Sequence, residues 1–107
     1  MIVDVRTYRT RPGGLVPQLA MYEKHGLAAQ TRHIGQPLAY LFTETGELNT
    51  FLHLWAYDSA GDREKRRAAM QADPEWKEYV RMTGEGGYLI HQENKLMVPT
   101  SFAPIKR

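Results

Sequence analysis

Cysteine is absent from the 107 residues of the chain. Disulfides, thiolate nucleophiles, zinc–thiolate sites and iron–sulfur clusters are therefore excluded. No apolar run approaches the roughly 20 residues that a membrane-spanning helix needs, and Asp4 interrupts the N-terminal stretch where a signal peptide would stay apolar. We therefore expect a cytoplasmic protein with no membrane partner.

An excess of charge of one sign is also lacking, because 14 basic residues are offset by 12 acidic ones and leave a formal net charge of +2. The densest basic cluster consists of Arg63, Lys65, Arg66 and Arg67, and it is interrupted by Glu64. A groove for nucleic acid needs more uncompensated positive charge than this. The cluster is typical of a solvated helix face, and we expect no nucleic-acid partner.

The composition that remains is that of a globular protein, with 42% hydrophobic and 10% aromatic residues. Its length suits a single domain over residues 1–107, in which residues 99–107 form a Pro-containing tail. Alternating, β-branched or aromatic stretches predict strands at 2–10, 38–44, 49–57 and 88–98.

Two helical segments lie between these strands. Helical spacing begins at Leu15 and predicts a first helix to about Gln30, near whose end Gly26 is expected to serve in helix termination as a left-handed cap. Ser59 predicts the start of the second helix, and Asp73-Pro74 predicts a restart within it. The order βαββαβ indicates an α+β, ferredoxin-like fold, in which two helices lie on one face of an antiparallel sheet.

The third strand predicts how the sheet is covered. One of its faces carries the aliphatic set Leu52, Leu54 and Ala56, and the other carries the aromatic set Phe51, His53, Trp55 and Tyr57. We expect the helices to cover the aliphatic set. The exposed aromatic set would then need a partner, so we predict a homodimer in which two sheets pack face to face as a dimeric α+β barrel.

A cavity between the two sheets would be a small-molecule site with aromatic walls. In this interpretation His53 is a candidate catalytic acid or base, and Arg6 is a candidate partner for an anion or enolate. The alternative is structural, with Arg6 and His53 bonded inside the protein to residues of strand four. The weak alternation of strand four leaves open whether Gln92 and Asn94 or His91 and Glu93 face this side. The predicted ligand-binding residues are Arg6, Tyr8, Tyr40, Phe42, His53, Trp55 and Tyr57.

Other reactive groups are sparse. The histidines at 25, 33, 53 and 91 lack the spacing of a helical metal site, so we expect no metal. Ser59 and Ser101 lack the motif of a hydrolase nucleophile, and the glycines at 84, 86 and 87 follow a helix instead of opening one as in a phosphate loop. We therefore expect no cofactor.

Several segments together resemble the NIPSNAP family of dimeric α+β barrel proteins. The resemblance covers nearly the whole chain, and its most specific parts are Gly46-Glu47-Leu48-Asn49, His53-Leu54-Trp55-Ala56-Tyr57 and Asp73-Pro74-Glu75-Trp76. It implies the same fold and a dimer, but no agreed biochemical activity. Some eukaryotic members are linked to mitochondria and to vesicle or mitophagy signalling, roles that we do not transfer to a chain in which we find no transit peptide.

Two functional hypotheses follow. The first is a homodimeric module that binds a small molecule or another protein. The alternative is a cofactor-independent enzyme, monooxygenase-like or isomerase-like, acting on a small aromatic or polyketide-like substrate in the cavity between the sheets. The sequence contains no decisive nucleophile, metal set or phosphate loop, which favours the first hypothesis.

Overall fold

A computed structural model describes residues 1–105 of the chain. The strands in this part form one antiparallel sheet in the order β2-β3-β1-β4. This arrangement confirms the predicted α+β, ferredoxin-like class, although each predicted helical segment is divided into two helices. The elements are β1 (Ile2–Thr10), α1 (Leu15–His25), α2 (Leu27–Ile34), β2 (Ala39–Phe42), β3 (Thr50–Tyr57), α3 (Ala60–Ala72), α4 (Pro74–Gly86) and β4 (Leu89–Met97).

The second helical segment divides where its sequence predicts. The Ser59 hydroxyl accepts a hydrogen bond from the backbone N–H of Asp62 at 3.1 Å and caps α3. The Asp73 carboxylate accepts one from the backbone N–H of Glu75 at 2.9 Å, and Pro74 stands at the first position of α4. Each cap satisfies an N–H that has no partner within its helix, so both helices begin at defined residues.

The first helical segment divides at Gly26 for a different reason. Its φ of −112° and ψ of −32° are not left-handed, so the expected conformation of Gly26 is wrong, although α1 does end there. A side chain at this position would lie 3.0 Å from the rings of both Tyr22 and Tyr79. Glycine therefore permits two aromatic rings to pack edge to face at 5.7 Å, and α2 then continues to Ile34 instead of ending near Gln30.

The helices cover the aromatic face of the sheet. Trp55 and Tyr57 of β3 are fully buried in a core with Ile34 of α2 and Met70 of α3. Tyr22 of α1 stacks on Tyr40 of β2 at 5.0 Å, and Trp76 of α4 packs against the same core. We call this side of the sheet the helix-covered face.

The sequence-based assignment of the two faces is therefore wrong. The opposite side, which we call the bare face, carries the aliphatic residues Leu41, Leu52 and Leu54. Alternation determines which side chains share a face but not which face receives the helices. Large rings on the strands fill the space beneath the equally large rings of the helices, and this packing selects the aromatic side.

Irregular structure follows β4. Residues 98–105 form neither helix nor strand, and residues 106 and 107 of the predicted tail lie outside the described residues. Within residues 1–105, none of the helices combines the length and the apolar composition needed to cross a membrane.

Candidate functional site

A cavity of about 390 Å³ lies between the sheet and the helices of a single chain. Sheet residues form its floor, and helix residues form its roof. The floor includes Arg6, Tyr8, Tyr40, Phe51, His53 and Gln92. The roof includes Gln18, Tyr22, Gln30, Arg67, Trp76 and Tyr79.

Strand register places the centre of the floor. Tyr40, His53, Arg6 and Asn94 are paired in one row across β2, β3, β1 and β4. The His53 ring is stacked between Tyr40 at 4.6 Å and Tyr8 at 5.0 Å, with interplanar angles of 11° and 13°. These distances are close to the spacing of neighbouring strands, so the rings stand on the sheet and turn their edges to the cavity. Ring edges are the positive side of the aromatic quadrupole.

His53 is a neutral side chain with one nitrogen already bonded. Burial, and after it the positive charge of Arg6, lowers the pKa of His53 to about 3. The indole N–H of Trp55 donates to Nδ1 of His53. Because an indole only donates, Nδ1 must be the acceptor, and the proton of the neutral ring is on Nε2. His53 therefore offers a bound molecule an N–H donor at Nε2.

Arg6 is held by a buried ion cluster beside the cavity, on the helix-covered face. The Asp4 carboxylate is fully buried and accepts hydrogen bonds from Arg6 at 3.2 Å, Arg63 at 3.1 Å and Asn94 at 3.0 Å. Burial alone would raise the pKa of Asp4, but the Asn94 amide and the two arginines outweigh it and hold the pKa below its usual value. Arg6 also donates to the Tyr8 hydroxyl at 3.0 Å, which fixes the guanidinium at the cavity wall.

Arg67 brings a second positive charge to the cavity from α3. None of the ion pairs within residues 1–105 involves Arg67, whereas Arg63 is bonded to Asp4 and Arg66 to Asp62. The basic cluster of α3 is therefore not simply a solvated face, because Arg63 and Arg67 point inward. Among the cavity-lining residues in the described part of the chain, none is Asp or Glu, so the cavity is electropositive.

Two buried glutamines shape the roof. Gln30 accepts a hydrogen bond from the Tyr22 hydroxyl at 2.5 Å. Gln18 donates from Nε2 to the Tyr79 hydroxyl at 3.0 Å, but its Oε1 is buried without a hydrogen-bond partner among residues 1–105. Burial of the hydroxyl raises the pKa of Tyr22 and of Tyr79 above the usual value, so both phenols are neutral.

The structure brings together part of the predicted site and changes its position. Arg6, Tyr8, Tyr40 and His53 line the cavity, which lies inside one chain and not between two sheets. Trp55 and Tyr57 are in the core and outside the cavity lining. Phe42 is 61% exposed, because it ends the short edge strand β2. Gln92 and Asn94, not His91 and Glu93, share the helix-covered face.

The roof residues were missed by the sequence interpretation. The available signal was the placement of Gln18 four residues before Tyr22 on α1, which puts a polar side chain on the inner face of the helix. No comparable signal distinguished Arg67 from its basic neighbours. Among the described residues, no three His, Asp or Glu side chains are grouped as metal ligands would be.

The sheet order and the cavity between sheet and helices define a ferredoxin-like α+β protein with a pocket inside the chain. The NIPSNAP family model matches residues 3–104, and the chain belongs to the NIPSNAP family. The resemblance seen in the sequence motifs is thereby confirmed.

Relatives and solved structures agree with this assignment. "Protein NipSnap homolog" of Dictyostelium discoideum is 35% identical over 96 residues, which are 90% of this chain and 41% of the relative. "Protein NipSnap homolog 3A" of Homo sapiens is 30% identical over 105 residues, which are 98% of this chain and 42% of the relative. The chain therefore spans less than half the length of these curated relatives.

Solved structures show the same fold. A NIPSNAP family protein with unknown function from Agrobacterium tumefaciens has a TM-score of 0.92 and 35% identity, covering 99% of this chain and 94% of that one. A NIPSNAP-like domain protein from Burkholderia xenovorans has a TM-score of 0.87 and 40% identity, covering 97% and 89%. An antibiotic biosynthesis monooxygenase shares the fold alone, with a TM-score of 0.63 and 16% identity over 94% of this chain and 99% of that one. Membership of the family thus establishes the fold without an activity.

Proposed function

We propose that the protein binds a small planar acid in the cavity between its sheet and its helices. The observation that carries the proposal is an aromatic cavity containing two arginines, Arg6 and Arg67, and lined in the described residues by no carboxylate. Its volume of about 390 Å³ is at the low end of the roughly 300–1,000 Å³ that small-molecule sites occupy. A molecule of one or two rings matches that size.

The charge of the ligand follows from the polar groups of the cavity. Arg6 is partly neutralised by Asp4, but Arg67 is in no ion pair within the described part of the chain. The Nε2–H of His53 and the ring edges of Tyr8 and Tyr40 also direct positive potential to the cavity. A carboxylate, phenolate or enolate would complement all of these groups.

The planar shape follows from the walls. Aromatic side chains on the floor and the roof leave a layer between sheet and helices that suits a flat, conjugated molecule. When such a molecule binds, both faces of its rings leave water and make apolar contacts with the cavity walls.

We expect 2-naphthoate, a planar two-ring acid, to bind and its neutral amide to bind more weakly. Replacing Arg67 with Met removes a charge that forms no ion pair within residues 1–105, and it should weaken 2-naphthoate binding roughly 10- to 100-fold, the range for a hydrogen bond to a charged group. Titration calorimetry with both ligands measures this difference. Arg6 is a less suitable position for the test, because its loss would also remove one of the three hydrogen bonds that the buried Asp4 carboxylate accepts.

The matched control is Arg66→Met on the same helix. Arg66 bonds to Asp62 at 3.0 Å and is not among the cavity-lining residues, so binding of 2-naphthoate should not change. Equal affinity of the wild-type protein for the acid and the amide, or no binding of either, would contradict the proposal.

Catalysis without a cofactor is the alternative use of the same cavity. What supports it is the convergence of Arg6 and the Nε2–H of His53 on one wall, where they would stabilise an enolate. A pKa of about 3 makes His53 a weak base, so its part in such a reaction would be hydrogen-bond donation. Chemical change of a bound acid, and not binding alone, would distinguish this alternative.

We also propose that two copies of the chain associate through their bare faces. Leu41 is 57% exposed and Leu52 and Leu54 are partly exposed on that face, and a second copy would cover them with the same apolar surface. Glu93 and Lys95 of β4 lie on this face two positions apart. Their opposite charges allow the face to be complementary to its own copy.

We expect Leu41→Glu to convert a dimer into a folded monomer, because a buried, unpaired carboxylate opposes association. Sedimentation velocity at micromolar concentration measures the mass, and circular dichroism confirms folding. Val16→Glu is the control, since Val16 is 77% exposed on the helical side. A wild-type monomer, or a Leu41→Glu dimer, would contradict the proposed interface.

A further inference from the structure

We infer that the acid bound in the cavity also carries an O–H or N–H group, which donates a hydrogen bond to Oε1 of Gln18. The inference rests on the proposed binding function and specifies the class of ligand: a planar acid with a hydroxyl or amino group directed away from its acidic end. It makes Gln18 a specificity-determining residue of the site.

The first observation is the incomplete bonding of Gln18. Its side chain is buried, with 1% of the residue exposed, and its amide nitrogen is bonded to the Tyr79 hydroxyl at 3.0 Å. Its oxygen has no hydrogen-bond partner within residues 1–105, although it belongs to a residue that lines the cavity. A buried acceptor left without a partner is costly, and a donor on a bound molecule would remove that cost.

The second observation is the contrast with Gln30. Both glutamines are buried in the roof and both are bonded to a tyrosine hydroxyl, but the oxygen of Gln30 already accepts from Tyr22. The roof therefore contains one glutamine whose acceptor is occupied and one whose acceptor is available. Within residues 1–105, the Gln18 oxygen would gain its first hydrogen bond from a ligand donor, so it selects for such a group more strongly than the Gln30 oxygen does.

The distribution of donors and acceptors sets the ligand's orientation. Arg6 and the Nε2–H of His53 place donors on the floor, whereas Oε1 of Gln18 places an acceptor in the roof. An acid bonded to the floor therefore presents its opposite edge to α1. A hydroxyl on that edge donates to Oε1 of Gln18, whereas an analogue without the hydroxyl leaves Oε1 without a partner. Binding sites discriminate for a polar group of the ligand in this way.

The test compares 2-naphthoate with its ring-hydroxylated isomers by titration calorimetry. We expect at least one isomer to bind roughly 2- to 10-fold more tightly than 2-naphthoate, the range for one neutral hydrogen bond. In Gln18→Met, which preserves side-chain length without a polar atom, this gain should be lost while 2-naphthoate still binds. The matched control is Gln71→Met on α3, which removes an exposed glutamine outside the cavity lining and should retain the gain.

A second comparison uses the wild-type protein alone and so does not depend on the folding of Gln18→Met. The methoxy analogue of the preferred isomer has the same position and a similar shape but cannot donate, and it should lose the gain. Suppose that 2-naphthoate binds with dependence on Arg67. If no hydroxyl isomer then binds more tightly than 2-naphthoate, or if the methoxy analogue binds as tightly as the preferred isomer, the inference about Gln18 is overturned and the proposed function stands. If 2-naphthoate does not bind, both are overturned.

Discussion

Replacing Trp55 with Ala is expected to lower the free energy of unfolding by about 3–5 kcal/mol, the range for deleting a large aromatic side chain from a core. Trp55 has no exposed surface and packs with Ile34, Tyr57 and Met70. The substitution leaves a cavity in this cluster and also removes the indole donor from Nδ1 of His53. Urea unfolding followed by circular dichroism measures the loss.

The matched control is the same substitution at Trp76, which is partly exposed at the margin of the core and should cost less. Because Trp55 lies under the helices and away from the bare face, the folded fraction of Trp55→Ala should keep the association state of the wild-type protein. Equal losses for the two tryptophans would contradict the deeper burial of Trp55, and dissociation of a folded Trp55→Ala variant would indicate that Trp55 lies at an interface between chains.

The order of elements could be predicted from the sequence because each signal was local. Alternation of side chains identified the strands, and the hydrogen-bonding side chains of Ser59 and Asp73 marked the starts of α3 and α4. The conformation of Gly26 and the continuation of the segment as α2 could not be predicted in this way. The need for glycine at this position depends on the approach of Tyr79, which is more than 50 residues away in sequence.

The position of the site could be predicted only in part. Alternation correctly grouped Arg6 and Tyr8 with His53, because strand periodicity determines which side chains share a face. It could not determine that the helices cover that face, since this choice depends on the volumes of rings contributed by helices and strands together. Helical spacing could have placed Gln18 on the inner face of α1, but Arg67 enters the site from α3, and no local signal predicts that both residues line one cavity.

Replacing Asp4 with Asn is the second change with a large expected effect. Asp4 is fully buried and is the carboxylate to which both Arg6 and Arg63 are bonded. Removing its charge leaves two arginines without their buried partner, and breaking a buried ion pair in this way costs about 3–5 kcal/mol. Glu78→Gln is the control, because Glu78 pairs with Arg81 in solvent, and it should cause no measurable loss.

The pH dependence of this loss identifies its electrostatic origin. The Asn94 amide and the two arginines outweigh burial and hold the pKa of Asp4 below the value of 3.8 that an unfolded chain has. As the pH falls, the Asp4 carboxylate of the unfolded state therefore binds a proton before that of the folded state does. The stabilisation by Asp4 is present above pH 3.8 and is lost as the pH falls through the folded-state pKa. The difference in unfolding free energy between the wild-type protein and Asp4→Asn should shrink over the same interval. A difference that stays constant down to acid unfolding would mean that Asp4 stabilises the fold by shape and hydrogen bonding. In that case Arg6 would not need the charge of Asp4 to remain at the cavity wall.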